Sequence, residues 1–257
     1  MKIDKVLVVY IQPVKEEEKG TFDLVISTLK DNDIKFKLVK RDGIKEEVIK
    51  NYKFIIVIGG DGTLLRTAQY IKDQLVLGVN CHCGIREGFF LKTDLRNFKE
   101  RFELFLKNKY KILTLNRIKA VIDKIETAPS LNEIYVGERR AYRTSKYYIK
   151  IGNKEEFQKS SGILIATAAG SHAWLKSAGG NILDVESNEV QYFVRESYKG
   201  KLTKPILIAG KVPKDFEITS LMEDGIVVVD STSEEYGFKK GKELKIIKSE
   251  PLRLVDF

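Results

Sequence analysis

Near position 110 the apolar residues of this 257-residue chain change period, and that change limits its architecture more than any other feature. Upstream, short continuous apolar runs alternate with helical spacing. Val6 to Ile11, Ile34 to Val39, Phe54 to Ile58 and Leu75 to Val79 read as strands. Phe22, Val25, Ile26 and Leu29 recur at i, i+3, i+4 and i+7, Lys45 to Lys50 reads as a short helix, and Leu64, Ala68 and Ile71 mark another. A last helix carries Leu95, Phe98, Phe102, Phe105 and Leu106. Strands apolar on both faces and separated by helices predict a parallel sheet covered by helices. Downstream the period becomes two. Ile118 to Asp123, Ala141 to Ile151, Ile163 to Thr167, Pro205 to Ala209, Ile226 to Asp230 and Leu244 to Lys248 predict short strands, and only Ser171 to Ser177 reads as helical. The expectation is an α/β N-terminal domain over 1–110 and a mostly-β C-terminal domain over 111–257.

Charge narrows the partner. Lys+Arg number 45 against 36 Asp+Glu, a net charge of +9, which suits a nucleotide, a phosphate or a nucleic acid. Two cysteines, Cys81 and Cys83, exclude a disulfide scaffold and fit a reducing compartment. No apolar run approaches the ~20 residues that cross a bilayer, and Met1 to Lys5 has no signal-peptide layout. A cytoplasmic protein without a membrane partner is expected.

The most specific local signal runs from Phe54 to Leu65, where a buried strand enters Gly59-Gly60-Asp61-Gly62-Thr63 and then a helix. Three glycines let the backbone approach a ligand, and helix-start N–H groups bind phosphate oxygens. Asp61 falls at the carboxyl end of a parallel strand, where open α/β sheets place ligands. Its carboxylate can hold Mg²⁺ or accept a proton from an attacking hydroxyl; capping the helix is the simpler alternative. No Gly-Lys-Ser/Thr occurs, the third glycine of the dinucleotide fingerprint is missing, and neither His82 nor His172 sits in a His-Arg-Asp context. A second segment, Ser160 to Gly180, carries an apolar strand into a loop of small residues. There Trp174 offers a flat surface for a base, or packs in a core. A third, Asn132-Glu133, pairs an amide that can read a base edge with a carboxylate that can accept from a ribose diol. Cys81-His82-Cys83 lacks the C-x-x-C spacing of a zinc site and reads as loop.

Taken in order, these segments resemble the NAD kinase family, whose members transfer a phosphoryl group from ATP to the adenosine 2′-hydroxyl of NAD. Gly59 to Thr63 is similar to its opening motif, with Arg66 at a position often basic. Gly78-Val79-Asn80 followed by Gly88-Phe89-Phe90 resembles its Gly-Ile-Asn…Gly-Phe-Leu segment, and Asn132-Glu133 its Asn-Glu/Asp pair. Thr167 to Ser177 resembles Thr-Pro-Thr-Gly-Ser-Thr-Ala-Tyr and the serine that follows. The resemblance implies a two-domain fold with a Rossmann-like first domain, ATP with Mg²⁺ or another divalent cation, NAD as substrate, and a homo-oligomer, dimer or tetramer. It implies Asp61 as the catalytic residue and a possible Mg²⁺ contact. Gly59, Gly60, Gly62, Thr63, Arg66 and Asn80 are then expected around the phosphates and nucleotide. Asn132, Glu133, Ser161, Thr167, Gly170, Ser171, His172, Ala173, Trp174 and Ser177 are expected at the dinucleotide.

Departures fall on the acceptor contacts. Ser161 stands where most members have Asp, Ala168-Ala169 replace Pro-Thr, and His172 and Trp174 replace Thr and Tyr. Ser160-Ser161-Gly162, Ala173-Trp174 and Val194-Arg195-Glu196 are more similar to the mitochondrial-type branch. The family's C-terminal helix returning to the first domain is not expected. Three alternatives stay open: a kinase of another acceptor (NADH, another nucleotide or a lipid), a non-catalytic dinucleotide-binding protein, and a nucleic-acid binder using Tyr142 to Tyr148. A solvated strand face explains that last stretch more simply.

Overall fold

Strands apolar on both faces need cover on both faces, and the first half of the chain supplies it with helices. The computed structural model describes residues 5–82, 84, 87–201, 204–232 and 234–257. The chain divides into two compact units, Met1–Leu115 with Pro251–Phe257, and Asn116–Glu250. The first contains β1 (Lys5–Tyr10), α1 (Glu16–Asp31), β2 (Lys35–Lys40), α2 (Glu46–Ile49), β3 (Phe54–Gly59), α3 (Asp61–Ala68), β4 (Leu75–Asn80), β5 (Thr93–Asp94) and α4 (Phe98–Leu106). Its strands run parallel in the order β2-β1-β3-β4, with β5 beside the end of β4. Every residue of β3 and β4 is buried. The edge strand β2 instead exposes Lys35, Lys37 and Lys40, which discourages pairing with other chains. Val25 and Leu29 of α1 and Phe98, Phe102 and Phe105 of α4 join Val8, Ile56 and Leu77 in one core.

The second unit contains the greater part of β6 (Lys111–Ile122), then β7 (Ile125–Glu126), β8 (Glu133–Glu138), β9 (Ser145–Ile151), β10 (Lys154–Ser160), β11 (Ile163–Ala166), α5 (Trp174–Ala178), β12 (Gln191–Val194), β13 (Ala209–Lys211), β14 (Glu217–Ser220), β15 (Gly225–Val229), β16 (Glu235–Gly237) and the start of β17 (Glu243–Asp256). Antiparallel pairing gives β13-β12-β11-β8-β15-β16 in one sheet and β10-β9-β14-β17 in another. Inward residues from both, including Ile134, Ile165 and Val227 with Tyr147, Ile218 and Leu244, form a single core. The second half is therefore a sandwich built on period-two alternation.

Several sequence expectations shift. Leu95 lies before α4 and is exposed, and Ile71 lies past α3 in a turn, though buried. Pro205 to Leu207 is not strand, because proline has no N–H and those of Ile206 and Leu207 go to the Glu156 carboxylate at 2.9 Å each, and pairing begins at Ala209. Ala141 to Thr144 lies outside β9. β10 escaped the sequence reading because five of its seven residues are Lys, Glu or Gln; Gly152, at φ +58, makes the turn into it. β17 runs well beyond Lys248, and Arg253 and Leu254 lie parallel to Leu75 and Val76 of β4. Thus residues 251–257 belong with the first unit and return to it as strand, whereas a single cut at 110 leaves them in the second. Truncating the fully buried Leu77 to Ala is expected to cost about 2–5 kcal/mol, read as a lowered urea midpoint at unchanged slope.

Candidate functional site

In the first unit, β3 ends at Gly59, Gly60 is extended (φ −111°, ψ 179°), and Asp61 opens α3. The first N–H groups of a helix have no intrahelical acceptor and carry partial positive charge. Gly59 is required by packing, since a Cβ there would come within 2.5 Å of Thr63 Oγ1. Gly62 is exposed with open space around it, so its lack of a side chain keeps the helix start accessible from outside. Asp61 does not cap the helix, whose N-cap is Gly60: its Oδ2 accepts the Phe89 N–H at 3.0 Å and Oδ1 the Phe90 N–H at 2.9 Å. A carboxylate has about four acceptor positions, so each oxygen keeps capacity toward a ligand. The segment holding it is packed in turn, because Gly78 leaves room for the Phe90 carbonyl and Leu91.

Thr63 is buried, and Arg66 reaches Asp42 Oδ1 at 3.0 Å in a surface ion pair. Asn80, at the end of β4, accepts the His82 N–H at 2.9 Å through Oδ1. Cys81 and His82 form no open loop; both are buried, His82 Nε2 bonds Glu18 Oε1, and Nδ1 lies 3.2 Å from Cys81 Sγ. Cys83 lies outside the described residues.

In the second unit a carboxylate that the sequence reading missed organises the site. Asp230, buried just past β15, accepts Ser130 Oγ at 2.7 Å and the N–H groups of Leu131 at 2.8 Å, Asn132 at 2.7 Å and Glu133 at 3.3 Å. Its only sequence signal is an acid closing the apolar run Ile226 to Asp230. Asn132 and Glu133 are thereby held at the start of β8, buried, with Asn132 Oδ1 and Glu133 Oε2 lacking any hydrogen-bond partner among the described residues. Burial, reinforced by the nearby Asp230, pushes the Glu133 carboxyl up to about 8. Burial also lifts Asp230 to about 6, against the pull of its donors. At neutral pH Glu133 is then largely protonated and offers a donor as well as acceptors. Buried polar atoms left without a partner are uncommon in folded proteins.

Thr167 and Gly170 serve the same segment. Thr167 donates Oγ1 to the Leu131 carbonyl at 2.6 Å and its N–H to the Asn132 carbonyl at 2.9 Å. A Cβ on Gly170 would collide with that Asn132 carbonyl. Ser171 is spent internally, between the Ala168 carbonyl and the Leu183 N–H, and His172 Nε2 lies 2.9 Å from the Leu183 carbonyl. These side chains shape the loop more than they line a surface. Ala173 separates a 3₁₀ turn from α5, and Ser177 is exposed. Trp174 is neither core nor free: it stacks on Tyr135 with ring centroids 5.5 Å apart, and the Arg195 guanidinium lies 4.9 Å from its ring. Ser161 joins the same group, its N–H bonding the Arg195 carbonyl and its carbonyl accepting the Tyr135 hydroxyl. Tyr135 was missed, although it stands two residues after Glu133 on one face of a strand.

Together these features define a class, a two-domain fold joining a parallel α/β unit with a phosphate-type strand–helix turn to a β-sandwich with an unsatisfied polar cluster. Residues 5–110 match the ATP-NAD kinase N-terminal domain and residues 131–255 the ATP-NAD kinase C-terminal domain. The chain belongs to the NAD kinase family. An NAD kinase of Thermoplasma acidophilum is 30% identical over 76% of this chain and 70% of the relative. A probable NADH kinase of Oryza sativa is 27% identical over 91% of this chain and 79% of the relative. The crystal structure of an NAD kinase from Archaeoglobus fulgidus in complex with ATP superposes with a TM-score of 0.78 at 22% identity, covering 98% of this chain and 93% of that one.

The raised Glu133 carboxyl has a stability consequence. The folded chain holds this proton more tightly than the unfolded chain, where the group titrates near 4.5. Its contribution is therefore most favourable below about pH 4.5 and declines as pH rises toward about 8. Glu133→Gln should remove that decline, gaining stability relative to the parent between about pH 5 and 8.5 in urea unfolding; an identical pH profile for both would contradict the assignment.

Proposed function

We propose that this protein is an ATP-dependent kinase that phosphorylates the adenosine 2′-hydroxyl of NAD, giving NADP. The carrying observation is family membership over both halves of the chain, with Asp61 present at the head of α3. Gly59, Gly60, Gly62 and Thr63 receive the ATP phosphates at the helix start, and Arg66 adds charge once released from Asp42. Asp61, held by Phe89 and Phe90, orients the 2′-hydroxyl and takes its proton. A carboxylate is a weak base toward an alcohol, so the proton moves late, and positioning supplies most of the acceleration in a loose phosphoryl-transfer transition state. Mg²⁺ suits this donor set, since it is commonly bound by one or two carboxylates plus substrate phosphates, and Asp61 has acceptor capacity left. When bound, the ion neutralises phosphate charge. Asn132 and Glu133 take the adenine and ribose with the groups that lack protein partners. Ser161, Trp174, Arg195 and Tyr135 frame the rest of the dinucleotide, and Thr167, Gly170, Ser171 and His172 hold the loop that carries it. By the family resemblance the chain works as a dimer or tetramer in the cytoplasm. Among the described residues no helix is long and apolar enough to cross a membrane.

A second reading, NADH as acceptor, is favoured by the similarity to the probable NADH kinase; the departures at Ser161, His172 and Trp174 bear on the acceptor without choosing it. Incubation with ATP, Mg²⁺ and either NAD or NADH, followed by an NADP(H)-specific dehydrogenase, decides between them. Asp61→Asn should lower turnover by about 10²–10⁴-fold while the fold is retained, with a lowered unfolding midpoint because the amide Nδ2 cannot accept one of the Phe89 and Phe90 N–H groups. Near-normal turnover in that variant would remove Asp61 from the mechanism.

A further inference from the structure

Between α1 and the end of β4 lies a buried polar chain that the proposed mechanism does not use. Glu18, Cys81 and His82 are each nine-tenths buried or more. Glu18 Oε2 accepts the Val14 N–H at 2.6 Å and the Lys15 N–H at 3.0 Å at the start of α1. Its other oxygen receives His82 Nε2. On the other edge of the ring, Nδ1 lies 3.2 Å from Cys81 Sγ, within hydrogen-bond reach whichever of the two atoms donates. The imidazole is therefore fixed on both edges, and its backbone cannot shift without breaking a buried bond.

That backbone has a second task. The His82 N–H holds Asn80 Oδ1 at 2.9 Å. The Asn80 amide packs so closely under Gly88 that a Cβ there would fall 2.5 Å from Nδ2, and Gly88 is at φ +64. The next two N–H groups, of Phe89 and Phe90, bind the two oxygens of Asp61. A continuous sequence of contacts thus runs from Glu18 through His82, Asn80 and Gly88 to Asp61.

We propose that His82, anchored by Glu18, is a positioning residue for Asp61, setting the Gly88–Phe90 backbone that aims its carboxylate. Resting on the reading of Asp61 as the catalytic residue, the idea has one arm that is independent of activity. An error of about 1 Å in a reacting group costs on the order of 10²-fold in rate, so a residue far from the phosphates can govern turnover through this chain.

The test compares His82→Ala, His82→Asn and His82→Gln. Glutamine reaches the same Glu18 oxygen, and asparagine falls short. In amide hydrogen exchange, the alanine and asparagine variants should exchange Phe89 and Phe90 about tenfold faster while Ile55 to Val57 of β3 stay protected. Their kcat should drop about tenfold or more, with KM for ATP and NAD within about twofold, and His82→Gln should recover most of it. If the alanine variant does not fold, asparagine against glutamine carries the comparison. Unchanged exchange at Phe89 and Phe90, or equal kcat for asparagine and glutamine, overturns the proposal. A parent protein that makes no NADP or NADPH overturns the kinase reading instead, and the exchange arm still decides whether His82 holds the segment.

Discussion

β3 is buried from end to end, and that constraint fixes where the chemistry of the first unit can occur. Phe54 to Ile58 sits between β1 and β4 with no face open to water. A chain leaving such a strand must satisfy its backbone at once. It does so by entering α3 directly, so the free N–H groups of the helix start appear at the carboxyl edge of the sheet. Gly59 permits the sharp departure, because Thr63 folds back over it. Asp61 is the first side chain beyond the apolar core, and its position follows from the burial of the strand before it.

The second unit solves a different problem, presenting polar groups from within a sandwich. Asp230 is almost fully buried and bonds four donors across Ser130 to Glu133. Burying a carboxylate is costly unless it is richly hydrogen-bonded, and here the donors offset that cost while fixing the backbone of the following residues. Glu133 has far less compensation, with Ser231 Oγ reaching its Oε1 at 3.4 Å. Its Oε2 has no partner among the described residues, and burial raises its carboxyl. Arg117, buried with Nε 2.6 Å from the Glu250 carbonyl, places positive charge near Asp230 and is itself lowered to about 10 by burial.

Legibility in the sequence tracked the range of the interaction responsible. β1, β3, β4, α1 and α4 were readable because their burial imposes a period on consecutive residues. β10 was not, since Lys154, Glu155, Glu156, Gln158 and Lys159 sit on a hairpin held by β9 rather than by a core. Pro205 to Leu207 looked apolar enough for a strand, yet the distant Glu156 carboxylate takes the N–H groups of Ile206 and Leu207 and pairing begins later. In the candidate site, Asp61, Asn132, Glu133 and Trp174 stood out by type and context. Asp230 and Tyr135 did not, because Asp230 acts on residues about a hundred positions away, and Tyr135 gains its role only by stacking on Trp174.

The sequence by itself determined the two kinds of layer, the parallel sheet and the β-sandwich, and the loop Gly59 to Thr63, because periodicity and glycine spacing are local properties of the chain. Only the tertiary structure decided what the polar residues do. It assigned Thr167 and Gly170 to holding Asn132, left Glu133 Oε2 without a partner, and buried His82 of the Cys81-His82 loop against Glu18. The physical reason is that a hydrogen bond or a desolvated carboxyl depends on which atoms meet in space, and those partners come from distant parts of the chain.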